Sequence, residues 1–258
     1  MRILDDLLDL VLPASCVCCQ RPGGAWCAGC QPDSQPARVP LAHGPPTYAA
    51  GEYQGELRAA LLAYKERGHR SLADPLAGYL GDAADAAGRL EVRSARPLLV
   101  PVPSTRPVAR ARGGDHVARL GRLVARHCEL ELAPVLRVVG PVADSAGLSV
   151  PERAANLAGR FRAAPPTPTD DGRPVLVVDD IVTTGATVAE ASRALATAGW
   201  PVAGAAVIAA TRRRWPPPSG APRARRPTAD PPTVRSFDSA RIQAGVTGQI
   251  EWEGLALR

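Results

Sequence analysis

The stretch V-L-V-V-D-D-I-V-T-T-G-A-T, Val175 to Thr187, decides how the chain folds. Its apolar start, Val175 to Val178, predicts a buried parallel strand. Asp179-Asp180 and then Thr183-Thr184-Gly185-Ala186-Thr187 break that run and put polar groups at its carboxyl end, where open α/β sheets bind ligands. Beyond the glycine the pattern turns helical, with Val188, Ala191, Leu195 and Ala198 on one face and Gly199 placed to stop it. The threonines supply hydroxyls, Gly185 and Ala186 let the backbone come close, and the N–H groups that open the helix attract an anion. A phosphate monoester suits that loop. Two adjacent carboxylates would repel the phosphate and are better matched to neutral hydroxyls such as those of a ribose. An acid-capped strand followed by a Thr-rich turn is the plainer alternative, but the order strand, paired acids, Thr-Thr-Gly, helix is far more specific than a lone glycine-rich loop.

The whole segment resembles the phosphoribosyl pyrophosphate (PRPP) signature of the type I phosphoribosyltransferases. The resemblance implies that Asp179 and Asp180 hold the ribose hydroxyls, and that Thr183, Thr184, Gly185, Ala186 and Thr187 hold the 5-phosphate. It also implies Mg²⁺, brought with PRPP, and an α/β fold: a parallel sheet flanked by helices.

Working outward, 258 residues with 45% hydrophobic content give one substantial domain plus an appendage. Aromatic residues are only 4%, so the core is expected to be built from Ala, Val and Leu. The net charge of +6 permits an acidic partner such as nucleic acid, but much of the surplus lies near the C-terminus, and charge alone is weak evidence. Asp5, Asp6 and Asp9 interrupt any signal-peptide core, and Met1 to Leu12 reads as an amphipathic helix ended by Pro13. No later stretch is apolar enough to span a bilayer, and the expected location is cytoplasmic.

Five of the six cysteines fall between Cys16 and Cys30. Cys16 with Cys19 and Cys27 with Cys30 make two C-x-x-C knuckles, each able to offer two thiolates to one tetrahedral Zn²⁺ in a compact zinc-ribbon-like module. Disulfides are the alternative, disfavoured in a cytosolic chain. Cys18 receives no ligand role. Pro32 to Pro46 reads as an extended Pro-rich linker in which His43 is a solvated side chain, so residues 1–46 form the first region.

The folded domain is expected over residues 47–211. It opens with a strand at Tyr48 to Tyr53 and a helix at Glu56 to Arg67 closed by Gly68, followed by a second helix over Leu76 to Ala87. Leu98 to Val102 is the next buried strand, and Ser104, Thr105 and Arg106 at its carboxyl end offer hydroxyls and a guanidinium. In type I phosphoribosyltransferases the corresponding loop carries pyrophosphate; an ordinary βα turn is the alternative. A helix over Val117 to His127 and a strand over Val202 to Ala210 complete the pattern.

Taken in order, the cysteine module, Y-x-G-x-L at Tyr53 to Leu57, Tyr64 to Gly68, V-P-V-P-S-x-R, R-G-x-D-H, A-D-x-x-G-L, Arg153 with Asn156, and the PRPP signature resemble the ComF family from about Leu7 to Arg214. Its members resemble type I phosphoribosyltransferases and are associated with DNA uptake during natural competence. This chain departs from the family in two ways. It lacks further knuckles between Gln31 and Gly44, and it has Ser145 where relatives commonly carry glutamine, inside the Arg137 to Asn156 segment that would close over PRPP.

Residues 212–258 form the last region, a basic low-complexity tail of disordered composition. Trp215 could stack on a base there, though such runs are more often merely solvated. The competing functions are a phosphoribosyltransferase acting in nucleobase salvage, with its catalytic residues unassigned, and a catalytically silent PRPP-sensing adaptor that contacts single-stranded DNA or an uptake helicase.

Overall fold

A computed structural model describes residues 15–92, 96–104, 109, 114–140, 157–170, 172–212 and 214–215. Expectations for the Met1 to Leu12 helix, for Thr105 and Arg106, for Ser145 and for the tail beyond Trp215 concern residues outside this set. Six strands form the main sheet: β1 (Ala37–Val39), β2 (Thr47–Glu52), β3 (Leu98–Pro101), β4 (Glu131–Leu132), β7 (Val175–Val182) and β8 (Val202–Ala210). Their spatial order is β1-β2-β8-β7-β3-β4, and every neighbouring pair is parallel except β1 with β2. The short strands β5 (Leu136–Val138) and β6 (Phe161–Ala163) pair separately as an antiparallel ribbon.

Among the described residues, four helices flank the sheet: α1 (Gly55–Glu66), α2 (Ala73–Glu91), α3 (His116–His127) and α4 (Ala186–Thr197). Side chains alternate across each strand and so serve two layers. Leu99, Leu176, Val178 and Ile208 face one layer and pack with Leu61 of α1, Leu76 and Leu80 of α2, and Leu120 and Val124 of α3. Leu98, Val100, Val175 and Val177 face the other and meet Val188, Ala191 and Leu195 of α4, with Phe161 and Trp200. The expected Ala, Val and Leu core is what forms; alanines at 73, 77, 83, 84 and 87 let α2 lie close across β2 and β8.

From β3 the chain passes through α3 to β4 on one side, and from β7 through α4 to β8 on the other. Winding therefore reverses between β3 and β7, and the crevice at their carboxyl ends is the topological switch point.

Three features differ from the sequence expectation. The Pro-rich segment contains β1, whose Arg38 is in register with Tyr48 of β2; prolines at 36 and 40 bracket a strand short enough to sit at an edge. Strand β7 does not break at the paired acids but runs through them to Val182, and both carboxylates are buried. Arg214 and Trp215, assigned by sequence to the tail, are engaged by the domain: Arg214 Nη1 donates to Pro40 O at 3.1 Å, and Trp215 packs beside Leu41 against Val39, Val182 and Val207.

The cysteine segment lies in the same compact unit as the sheet. Trp26 stacks on Tyr79 of α2 with ring centroids 5.6 Å apart, Cys18 Sγ donates to Glu56 O of α1 at 3.8 Å, and the Tyr79 hydroxyl donates to Pro32 O.

Candidate functional site

The alternation that builds the core also divides the two acids. Asp180 continues the series Leu176, Val178 and points to the α1–α3 layer, where a lysine and a histidine meet one of its oxygens. Lys65 Nζ of α1 lies 2.7 Å from Asp180 Oδ2, and His116 Nε2 of α3 lies 2.6 Å from the same atom. Burial opposes its charge, but the His116 hydrogen bond and the Lys65 ammonium outweigh burial and hold Asp180 well below the usual carboxylate range. Asp179 sits one residue earlier and accepts the Asp180 N–H on Oδ1 at 2.8 Å. Burial, and then the neighbouring Asp180 charge, push its carboxyl up to about 8. Two side chains adjacent in sequence are thereby shifted in opposite directions.

The loop after β7 follows directly. Gly185 takes φ +86, the left-handed conformation that favours glycine, and serves as the N-cap of α4. Thr184 Oγ1 accepts the Ala186 N–H at 3.3 Å, while Thr183 is exposed and Ala186 and Thr187 are half-buried at the helix start. Helix N-termini leave first-turn amides without intrahelical acceptors, so the expected phosphate residues do surround a helix N-terminus. Leu41 covers this turn from the β1–β2 connection: a Cβ on Gly185 would lie 2.8 Å from Leu41 Cδ1. Thr211 Oγ1 donates to Thr183 O at 3.5 Å and closes the loop from the end of β8.

Across the switch point, Ser104 leaves β3 and is locked onto the first turn of α3. Its N–H donates to Asp115 Oδ2 at 2.8 Å, and Asp115 Oδ1 accepts the Val117 and Ala118 N–H groups as the cap of that helix. The Ser104 hydroxyl lies 3.4 Å from His116 Nδ1. Thus Ser104 follows β3, and Asp179, Asp180 and Thr183 to Thr187 lie at or just beyond the carboxyl end of β7, the strand paired in parallel with β3. Two acids, a threonine-rich helix N-terminus and a second hydroxyl-bearing loop at one sheet end suit a phosphorylated sugar carrying a further anionic group.

The family model of the phosphoribosyl transferase domain matches residues 120–224. The match contains the paired acids and the loop to Thr187, so this part of the chain is similar to a phosphoribosyl transferase domain. No curated protein matches the chain. At this site Lys65, Asp115 and His116 belong to sequence motifs, Tyr64 to Gly68 and R-G-x-D-H, from which the sequence alone assigns them no role. Periodicity could not reveal their convergence, because α1, α3 and β7 lie far apart in sequence. The only local signal was Asp-His at the start of α3, an N-cap followed by a ring too polar for the core it enters.

Glu190 fastens the β5–β6 ribbon to α4. It accepts the Phe161 N–H at 3.5 Å and pairs with Arg193 Nε at 2.7 Å. Burial opposes its charge, but Arg193 and the Phe161 and Gly159 N–H groups outweigh it and hold the carboxyl below its ordinary value. The two strands bracket the segment expected to close over the ligand, most of which lies outside the described residues.

At the other end of the domain, the sulfurs of Cys16, Cys19, Cys27 and Cys30 all lie within 4.8 Å of one another. A tetrahedron with metal–sulfur bonds of about 2.3 Å has edges of about 3.8 Å, so the four thiols fit one metal ion. Burial opposes ionisation of Cys16, yet the N–H groups of Cys19, Cys27 and Cys18 bring its thiol down to about 6; burial and neighbouring thiols raise Cys27 and Cys30. Cys18 stands apart, pushed up to about 11 by burial and by the charge of Cys16, and His43 is exposed outside the cluster. No described helix is long and apolar enough to cross a membrane.

Proposed function

We propose that this protein binds PRPP at the β3–β7 switch point, in the manner of a ComF-type phosphoribosyltransferase-like protein. The observation that carries the reading is the paired acids, buried at the end of β7 and continuous with an anion loop whose helix opens at a left-handed glycine. Asp179 and Asp180 would face the ribose hydroxyls, Thr183 to Thr187 the 5-phosphate, and Ser104, with Thr105 and Arg106, the diphosphate. Asp180 is already held by Lys65 and His116, so the acids do not offer a free carboxylate pair to a cation, and Mg²⁺ belongs with the oxygens of PRPP itself. Bound there, it would offset the charge of the departing diphosphate.

Zinc is the metal we assign to Cys16, Cys19, Cys27 and Cys30, since a closed set of four thiolates is typical of structural Zn²⁺. From the ComF resemblance we further propose a cytoplasmic protein acting in DNA uptake, with single-stranded DNA or an uptake helicase as partner. Salt-dependent retention of labelled single strands tests that extension. A second reading keeps the pocket as a PRPP sensor without turnover; it is favoured by Asp180, whose charge is satisfied inside the protein without any ligand.

Calorimetric titration with PRPP and Mg²⁺, paired with a pyrophosphate-release assay across several bases, separates the readings. Wild type should bind PRPP. The double change Asp179→Asn, Asp180→Asn should weaken PRPP at least about tenfold, because a hydrogen bond to the charged Asp180 carboxylate alone contributes about 1.5–3 kcal/mol. Binding without release selects the sensor, and wild-type protein that binds no PRPP removes the reading.

A further inference from the structure

We propose, resting on the PRPP reading above, that His116 is a positioning residue for the diphosphate: it sets which way the Ser104 hydroxyl bond runs. Ser104 would offer its proton to a diphosphate oxygen only when both ring nitrogens of His116 are protonated. The inference starts from the buried chain of contacts Asp180 Oδ2 to His116 Nε2 at 2.6 Å and His116 Nδ1 to Ser104 Oγ at 3.4 Å.

The donor and acceptor roles follow one from another. Asp180 Oδ2 also takes the Lys65 ammonium at 2.7 Å, which fixes it as an acceptor and therefore makes Nε2 of His116 the donor. In the neutral ring Nδ1 is then a lone pair, so the Ser104 hydroxyl must give its proton to His116 and can turn only oxygen lone pairs toward the crevice. Lone pairs facing a diphosphate repel it. Protonation at Nδ1 reverses that bond: the ring donates to Ser104 Oγ, and the hydroxyl proton is freed for the anion. Binding of the diphosphate should therefore take a proton from solvent onto His116.

Neighbouring groups constrain the ring without replacing this role. From α1, Lys65 stands on the same carboxylate oxygen, and the Tyr64 ring meets the imidazole edge-on at 6.3 Å while its hydroxyl donates to His116 O at 3.2 Å. Asp180 faces it from β7 with Asp179 alongside. On α3 itself, Asp115 is occupied by Ser104 and the helix amides, and Arg119 lies toward Tyr64. The Ser104 backbone is fixed through Asp115 independently of His116, so removing the imidazole changes the hydroxyl's direction more than the loop's position.

The test is magnesium pyrophosphate binding to the full chain between about pH 5.5 and 8.5, for wild type, Ser104→Ala, His116→Gln and the double variant. Ionisation of the ligand and of Asp179 is common to all four proteins and cancels in ratios of affinity. The wild type should bind about tenfold tighter than Ser104→Ala at low pH and within about twofold of it at high pH. In the His116→Gln background that ratio should not change with pH, and the two substitutions should be strongly non-additive. A wild-type to Ser104→Ala ratio that stays constant across the range overturns the proposal even if His116→Gln fails to fold, and additive effects overturn it as well. If wild type binds neither pyrophosphate nor PRPP at any pH, the PRPP reading falls and this inference falls with it. PRPP binding with a flat ratio removes His116 alone.

Discussion

Replacing Gly185 by alanine should damage the chain twice, and the two effects can be measured apart. Its φ of +86 lies where an L side chain is strained, which costs about 1 kcal/mol for a single alanine. Separately, the new Cβ would stand 2.8 Å from Leu41 Cδ1 and 3.1 Å from Cδ2, a clash that methyl movement relieves only in part, for about 1 kcal/mol more. The sum, about 2 kcal/mol, corresponds to a fall in Tm of about 4–8 °C for a domain of this size. Urea unfolding of Gly185→Ala, Leu41→Ala and the double variant closes a cycle: Leu41→Ala should recover about 1 kcal/mol of the glycine defect, because it removes the clash and leaves the strain. A Gly185→Ala loss below about 0.5 kcal/mol, or additivity within error, would refute the claim that Leu41 closes over the phosphate turn.

The Asp179 carboxyl, pushed up to about 8, keeps its proton in the folded chain where the unfolded chain has lost it near pH 3.9, so stability should fall as pH rises from about 4 to 8. Asp179→Asn should flatten that decline in urea titrations; a wild type that gains stability over the window contradicts the burial argument. Purified protein should carry one zinc per chain, and chelation should lower Tm, since Cys16 is fully buried and Trp26 rests on Tyr79; metal content far below one after zinc supplementation would eliminate the site. Truncation directly after Thr211, which the composition alone predicts to be harmless, should cost about 1–2 kcal/mol more than truncation after Trp215, because the half-buried indole and the Arg214 bond to Pro40 are lost. Indistinguishable melting curves for the two would return Trp215 to the tail.

Much of the architecture is legible in the sequence wherever the signal is local. The valine run of β7, the nine residues of β8, the helical faces of α1 and α4 and the stop at Gly199 rest on periodicity and turn chemistry, and the structure follows them within a few residues. The cysteine quartet is legible for the same reason, because C-x-x-C fixes two thiols at a time. Strand β1 is not, since three residues between prolines carry no pattern, and its pairing is decided by the open edge of β2. Nor is the run of β7 through Asp179 and Asp180, where acidic residues argue against a buried strand unless the lysine and histidine that compensate one of them are already known. Those partners come from α1 and α3, and no spacing rule connects them to β7. Residue types at the candidate site were readable, whereas their protonation states depend on contacts that only the fold creates.

The pairing of β2 has a consequence for how the molecule is made. Tyr48 lies opposite Arg38 of β1 on one side and opposite Ala206 of β8 on the other. Synthesis delivers β2 well before β8, so on the ribosome the β1–β2 hairpin waits with one edge unfilled until β8 emerges. Burial of Ala49 and Ala50 in the finished sheet depends on that late arrival. The cysteine quartet is complete in sequence by Cys30 and can gather on a metal before β8 is made, though Trp26 finds its stacking partner only when Tyr79 has followed. Arg214 meets Pro40, and Leu41 and Trp215 pack against Val39, Val182 and Val207, only once β8 is in place, because Val207 belongs to that strand.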